Sequence, residues 1–425
     1  MLWGLLLACT PGFSEPEIPD YTASLRSGLS VDPFTGMLWI GRVEQDPQVQ
    51  AEVQAEYEAI MAQAEASGEL TWEELMYLGD LDARVHAAST ARVSKVDPQT
   101  LQATEIGVYQ GEAGPAAVFA PAGVYLGERP VDDQGYATGS VVYEHPETEG
   151  FLRGGGLAPS PLGGWFLHKQ SGVHALVPDS LGWSLPLASG DYAFLNKGEL
   201  LGLRSGELLR WQPGVSEPTS RIALPNGVRP TQILDLAASD QHALLAIPYE
   251  SGQGPEVWLI DLVSGALTVL PPSFIKGKFT DEGGFVYGES GGVVSIYSAQ
   301  GNLVNELSFE GEGEAWLSPD GGAMVFENED GVGWRSVATG ANTFEEERDL
   351  SSFQYAQGRL WTSAAGGVES LDLDTGLWEM WSLGDCSLSQ LVVLPDAQTL
   401  AGRCGSDEVG LFDTVSGALV GRVGL

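Results

Sequence analysis

Basic residues are scarce in this chain of 425 residues. There are 20 lysines and arginines against 58 acids, a net charge of −38, and only five of the basic residues are lysines. A surface of that sign repels phosphate backbones, and no basic stripe exists to override it, so nucleic-acid binding is excluded. Long apolar runs are also missing. Beyond the first nine residues nothing approaches the roughly 20 continuous apolar residues of a membrane-spanning helix. Histidine is sparse too. The five, His86, His145, His168, His174 and His242, show neither H-x-x-x-H nor H-E-x-x-H spacing. His168 and His174 stand six apart and are read as able to face each other across a hairpin, with a structural or surface role favoured over metal binding. No G-x-S-x-G occurs, and no nucleophile with a partnered histidine can be picked out, so no catalytic residue, metal site or cofactor is assigned.

What is plentiful is turn chemistry. The chain carries 56 glycines and 24 prolines, while 43% hydrophobic content is ample for a packed core. Residues 10–20 (TPGFSEPEIPD) hold three prolines and three acids and read as an extended tether. From about Tyr21 a β rhythm begins and is broken once, at 46–91. There Asp46-Pro47 supplies an N-cap acid and a proline at the first helical position. Val49, Val53, Tyr57, Ile60 and Ala64 form one stripe, and Ser67-Gly68 ends that helix. Thr71 and Glu74 make a capping box that opens a second helix with the stripe Leu75, Leu78, Leu81, Val85. An αα-hairpin is expected, its stripes packed on each other and on the β domain. The alternative is a protruding partner-binding arm, for which Tyr57, Trp72 and Tyr77 are the candidate contact residues.

The rest repeats. "WLIDLVSGALTVL" (258–270), "ESLDLDTGLWEMW" (369–381) and "GLFDTVSGALVGRV" (410–423) share one signature, and "GWRSVATGANTF" (333–344) and "SIYSAQGNLVNEL" (295–307) are looser copies. Apolar residues alternate along a strand, Asp or Ser opens a turn, and glycine takes the positive-φ position before a second strand returns. A second hairpin lies upstream, clearest in "WLSPDGGAMVFEN" (316–328), "LVVLPDAQTLAGR" (391–403) and "LSVDPFTGMLWIGR" (29–42). Two hairpins per about forty residues make the four strands of a propeller blade. Nine units are counted, at 28–110, 111–156, 157–190, 191–227, 228–273, 274–313, 314–351, 352–386 and 387–425. Those at 157–227 carry the weakest motifs and are where a miscount is expected. The expectation is an all-β fold: a single β-propeller over 21–425 of eight or nine four-stranded blades, seven being possible, with the αα-hairpin inserted at 46–91.

"WLSPDGGAMVF" and "VVLPDAQTLAGR", each followed by a D-x-x-[ST]-G-x-L copy or a near copy, resemble the WD-repeat-like and surface-layer-type propeller repeats of bacterial envelope proteins. The resemblance covers most of 28–425 and implies a fold rather than an activity. Trp316, Trp334, Trp361, Trp378 and Trp381 fall in the later blades and are expected mainly between blades, with an aromatic sugar shelf as the lesser reading. "NEDGVG" (328–333) and "DLDTG" (372–376) suggest calcium loops but lack the alternating oxygen ligands, so blade turns are expected. "GGG" at 154–156 precedes no helix and reads as a loop.

Cys9, Cys386 and Cys404 are the only cysteines. The last two lie on the arms of one expected hairpin, nearly equidistant from Pro395-Asp396. Their sulfurs meet if a small register offset is absorbed; otherwise they are two buried thiols. Closing that 18-residue interval would add about 3 kcal/mol in the chain-entropy picture. "LLAC" (6–9) resembles the bacterial lipobox, which implies a leader at 1–8, lipidation of Cys9 and a tether at 9–20, although no basic residue precedes the apolar run. Thr10, in place of aspartate, points to the outer membrane. Together these features imply a monomeric binding or scaffold protein of the bacterial envelope, lipid-anchored. It would recognise a protein or polysaccharide partner through the propeller face and the hairpin. The alternative is a propeller enzyme of hydrolase, lyase or quinoprotein type, acting on a carbohydrate or small molecule in the central channel. A third reading is a structural spacer.

Overall fold

In a computed structural model the described residues are 22–425. Excepted are 26–27, 112–115, 129–141, 145–150, 154–156, 171–172, 179–184, 213–214, 225–231, 238, 248–255, 271–275, 281–284, 291–292, 299, 309–314, 329–330, 347–352, 365–366, 383–387 and 406. Among the described residues the strands form nine antiparallel sheets in a propeller ring. They span 29–110, 116–153, 157–186, 191–223, 232–269, 276–308, 315–346, 354–382 and 388–424, called blades 1 to 9 here. Each falls inside one of the nine repeat units read from the sequence, and the weak stretch 157–227 holds two separate sheets. Within every blade the four strands follow in chain order, here a to d. The a strands of blades 2 and 3, 4 and 5, 5 and 6, 8 and 9, and 9 and 1 touch one another and so lie toward the axis.

The c–d turn is the part of the repeat that the sequence shows best. In blade 5 the Asp261 Oδ1 accepts the amides of Val263 and Ser264 at 2.9 and 2.6 Å, and Gly265 follows at φ +73°. Blade 9 repeats this at Asp413, whose Oδ1 accepts the amides of Val415 and Ser416 at 3.1 and 2.7 Å before Gly417 at φ +65°. Amide donation holds the Asp261 carboxyl below the usual range; at Asp413 the Ser416 hydroxyl and amide do the same. In "DLDTG" the Asp372 Oδ1 accepts from the Thr375 amide and hydroxyl, and Oδ2 binds Arg359 at 3.1 Å. That carboxylate is committed to the turn, as the sequence reading expected.

The turn glycine also serves the joint between blades. A Cβ at Gly376 would lie 2.4 Å from the ring of Trp334 in blade 7, and one at Gly417 would lie 2.4 Å from that of Trp381 in blade 8. The same side chain-to-turn contact joins Ile222 to Gly265 and Thr268 to Gly301. Trp316, Trp334 and Trp361 are buried; Trp378 is half-buried in the cluster shared with the preceding blade and Trp381 in that shared with the next, which makes them core between blades. The a strands add a polar latch. Asp191 and Asp235 each accept the amide of the following blade's a strand, Ile233 and Phe279, both at 2.6 Å. Blade 9 uses Gln390, whose Oε1 accepts the amide of Leu29 at 2.8 Å.

That last latch closes the ring. Blade 9 uses strands from 388–424 alone, and blade 1 uses strands from 29–110 alone, so no strand is shared across the seam. What holds it is apolar. Leu29, Leu38, Ile40 and Val96 of blade 1 are buried with Leu394, Ala401, Val409, Leu411 and Val423 of blade 9. Burial is worth about 1.5–3 kcal/mol per large aliphatic side chain. The half-exposed Arg42–Asp407 pair at 2.9 Å across the same seam belongs to a class worth about 0–1 kcal/mol. At this joint the turn contact is inverted. Blade 1 has Leu101 (φ +55°) where the turns of blades 5 to 9 have glycine, and its side chain packs onto Gly421 in strand d of blade 9.

The exception to four-stranded regularity is blade 2. The strand Thr22–Ser24 pairs antiparallel with its a strand on the axial edge, Thr22 opposite Val118 and Ser24 opposite Ala116. Thr22 therefore sits toward the a–b turn of blade 2, and Ser24 toward the end where one blade passes to the next.

The inverted joint is testable. Gly421→Leu should destabilise the ring by about 1–3 kcal/mol through overpacking. Leu101→Ala in the same chain should restore most of that loss. A double-mutant cycle of denaturant midpoints measures the coupling, and additive losses would show that the two positions do not meet.

Candidate partner-binding arm

The helical insertion joins strands b and c of blade 1, between Glu44 and Thr90, whereas in blade 4 only Ser205 and Gly206 separate the same two strands. Helix α1 spans Pro47–Ser67 and α2 spans Trp72–Ala87. The start and stop signals act as read. The Asp46 Oδ1 accepts the amides of Gln48 and Val49, and Gly68 ends α1 at φ +84°. The Thr71 amide donates to Glu74 Oε2 at 2.8 Å while the Glu74 amide donates back to Thr71 Oγ1 at 3.3 Å. At 1.5 Å per residue α1 is roughly 30 Å long. The helices make their main contact with each other, not with the strands. Only Val53, Ala64 and Leu81 are buried. The stripes pack on each other as expected, and the part of the expectation that placed them on the β domain is corrected: the insertion is an arm.

Two stripe members are left largely uncovered. Tyr57 and Leu75 are 44% and 48% exposed. The reason is angular: Leu75 lies about 120° around the helix from Leu81, at the margin of the inner face. It joins a second apolar face that the periodicity reading missed, with Trp72 at 74% and Met76 at 55% exposed. Trp72 is 180° from Leu81 at 100° per residue, so α2 is apolar on two sides. The signal was present in the sequence as Trp72, Leu75, Met76 at i, i+3, i+4. Tyr77 is tied inward: its hydroxyl donates to Glu56 Oε2 at 2.6 Å, and Arg84 reaches both oxygens of Glu56 at 3.0 and 3.1 Å. The Tyr77 hydroxyl and then Arg84 lower the Glu56 pKa, and the same hydrogen bond raises that of Tyr77.

The remaining candidates are placed as follows. Cys9 and Cys386 lie outside the described residues. Cys404 ends strand b of blade 9, half-buried, and stands opposite Leu388. His145 also lies outside the described residues. His168 pairs with Ala175 and His174 with Lys169, so the two histidines sit on opposite faces of blade 3, not facing each other. His174 packs on Tyr192 at 5.2 Å, and burial lowers its pKa. Among the described residues no three His, Cys, Asp or Glu side chains come together as a metal site, and no helix is long and apolar enough to cross a membrane. The axial acids Asp191 and Asp235 are engaged by backbone amides of the next blade. A cavity of ≈ 420 Å³ opens at the seam among Phe34, Met37, Pro98, Pro395, Asp396 and Val420. Asp396 there accepts the amides of Gln398 and Thr399.

No family model and no curated protein matches this chain. Solved structures do. One titled as the crystal structure of the eukaryotic initiation factor aligns with a TM-score of 0.51 at 11% identity, over 78% of this chain and 93% of that one. Another, from Kluyveromyces lactis and titled Hsv2 complete loop 6CD, aligns at a TM-score of 0.32 and 12% identity. It takes in 45% of this chain and 62% of that one, so less than two thirds of its length is spanned. The first likeness supports the propeller fold and nothing finer.

Glu44 pairs directly with Thr90 where the arm leaves the blade. Replacing 45–89 by Asn-Gly should therefore close a two-residue hairpin. The armless chain is expected to keep the near-ultraviolet circular dichroism and the melting temperature of the full chain within a few degrees; a loss of cooperative melting would show that the arm is part of the core. A second expectation concerns pH. Because its folded pKa is lowered, Glu56 contributes stability above the ordinary glutamate range, and this is lost as pH falls through the lowered value. Tyr77→Phe should thus lower arm stability at neutral pH, and the difference should vanish in acid, followed as helical ellipticity against temperature.

Proposed function

We propose that this chain is an envelope-anchored propeller that holds a protein-binding arm away from the surface to which it is attached. The observation that carries the reading is the topology of the two exits. Four antiparallel strands place a–b and c–d turns on one face, and b–c connections with blade-to-blade passages on the other. The arm is a b–c connection, between Glu44 and Thr90. Thr22, the residue through which the chain enters the ring, lies toward the a–b face. An anchor at Cys9, joined through the Pro-rich acidic tether, would hold the a–b face toward the membrane and the arm away from it. The acidic surface suits a solvated, salt-exposed setting. The amides already bound to Asp191 and Asp235 favour binding over catalysis in the channel.

The same reading includes a Cys386–Cys404 bridge in the blade that closes the ring. Its support is that Cys386 lies two residues before Leu388, the partner of Cys404 in the blade's strand pairing. An oxidising compartment is what such a bridge requires.

Mass spectrometry of protein purified from membranes tests the anchor. The expected amino-terminal peptide begins at an acylated Cys9; an unmodified Met1 peptide would remove the anchor. Non-reducing peptide mapping should join 386 to 404. Affinity capture from an envelope extract, with the full chain and with the Asn-Gly armless chain, tests the arm. Loss of the captured proteins on arm deletion is expected, and an unchanged set would sink the arm reading.

A further inference from the structure

The face of α2 turned away from α1 is built as a recognition ridge. Trp72, Leu75 and Met76 occupy i, i+3 and i+4 and are 74%, 48% and 55% exposed. Gly79 continues that row at i+7, and a Cβ there would meet nothing within 4 Å, which leaves a step at the end of the ridge for a close-packed partner. The rim is acidic: Glu73, Asp80 and Asp82 flank the row on α2, and Glu69 precedes it. Over 46–91 the arm carries ten acids and one arginine, Arg84, which is bound to Glu56. An unpartnered Trp-Leu-Met ridge inside an acidic rim has one complementary shape and charge. Tryptophan and methionine give large, adaptable apolar contact, and the carboxylates select Lys and Arg beside it.

We infer that the arm captures a cationic amphipathic helix of another protein, with apolar residues at i, i+3/i+4, i+7 and Lys or Arg on both flanks. A second copy of this chain is disfavoured because it would bring the same acids against the rim. Nucleic acid is disfavoured by the same sign. The inference rests on the proposed role of the arm in partner binding.

The test uses the full chain and a fluorescently labelled Leu/Lys amphipathic helical peptide of about 18 residues, or five turns, read by anisotropy. A control peptide has the same composition permuted to remove the apolar face. The amphipathic peptide should bind, and Trp72→Ala/Met76→Ala should weaken it by about tenfold or more, as expected for anchor residues. Trp72→Phe should keep most of the affinity. Raising salt should weaken binding without abolishing it, because both charge and apolar contact contribute. Equal binding of the permuted peptide would reduce the effect to charge alone and overturn the inference. So would an unchanged affinity of the double variant with its helical ellipticity intact, or binding of the arm to phosphatidylglycerol vesicles that displaces the peptide. If the peptide fails while capture from the extract still depends on the arm, the cationic-helix class falls and the arm reading stands. If capture is also independent of the arm, both fall.

Discussion

A ring of sheets holds only if each blade leaves room for a side chain of the one before it. Here, at four joints among the described residues, that room is made at the c–d turn by a glycine at positive φ. Trp334 rests on Gly376, Trp381 on Gly417, Thr268 on Gly301 and Ile222 on Gly265. One residue type thus meets two demands. It adopts the left-handed backbone without a Cβ penalty, and it lets an aromatic or branched side chain approach the turn closely. The aspartate that opens the turn serves the same geometry by accepting the amides that would otherwise be unpaired at the bend. Where the fit of glycine and side chain is repeated, the angle between successive blades is repeated, and the ring follows.

Closure depends on the joint that departs from this pattern. At the seam the glycine is on the outer strand of blade 9 and the large residue on the turn of blade 1. Blades 9 and 1 are each complete in themselves, so the seam relies on a continuous apolar cluster, the Gln390 latch and the Leu101–Gly421 contact. The reversal makes these two edges fit each other differently from the four joints where a side chain rests on a turn glycine. The strand Thr22–Ser24 adds a further tie, joining the chain before blade 1 to the axial edge of blade 2.

The arm stands apart from this economy. Its helices are capped at both starts and stapled by the Tyr77–Glu56–Arg84 network, so it keeps its form with little help from the blades. The helix pair leaves Trp72 and Met76 exposed to water, an apolar patch beyond what its own packing uses. It joins blade 1 on the b–c face, whereas Thr22 lies toward the a–b face of blade 2.

Much of this was legible in the chain. Turn residues and caps act over three to five positions, so the repeat boundaries, both helix starts and the Asx geometry at Asp261, Asp372 and Asp413 could be read locally. The outer face of α2 was less legible, because Leu75 lies between two faces and periodicity alone assigned it to the inner one. The facing of His168 and His174 was misread because strand register, not separation along the chain, decides the side on which a residue falls. The sequence by itself determined the architecture: nine strand-turn units, an inserted helical hairpin and an acidic surface, all written in local patterns. Only the tertiary structure decided how the ring closes, which side chain meets which glycine, and that arm and amino-terminal strand leave by opposite faces. Those outcomes depend on contacts between residues as far apart as Leu29 and Gln390, and a local pattern carries no record of them.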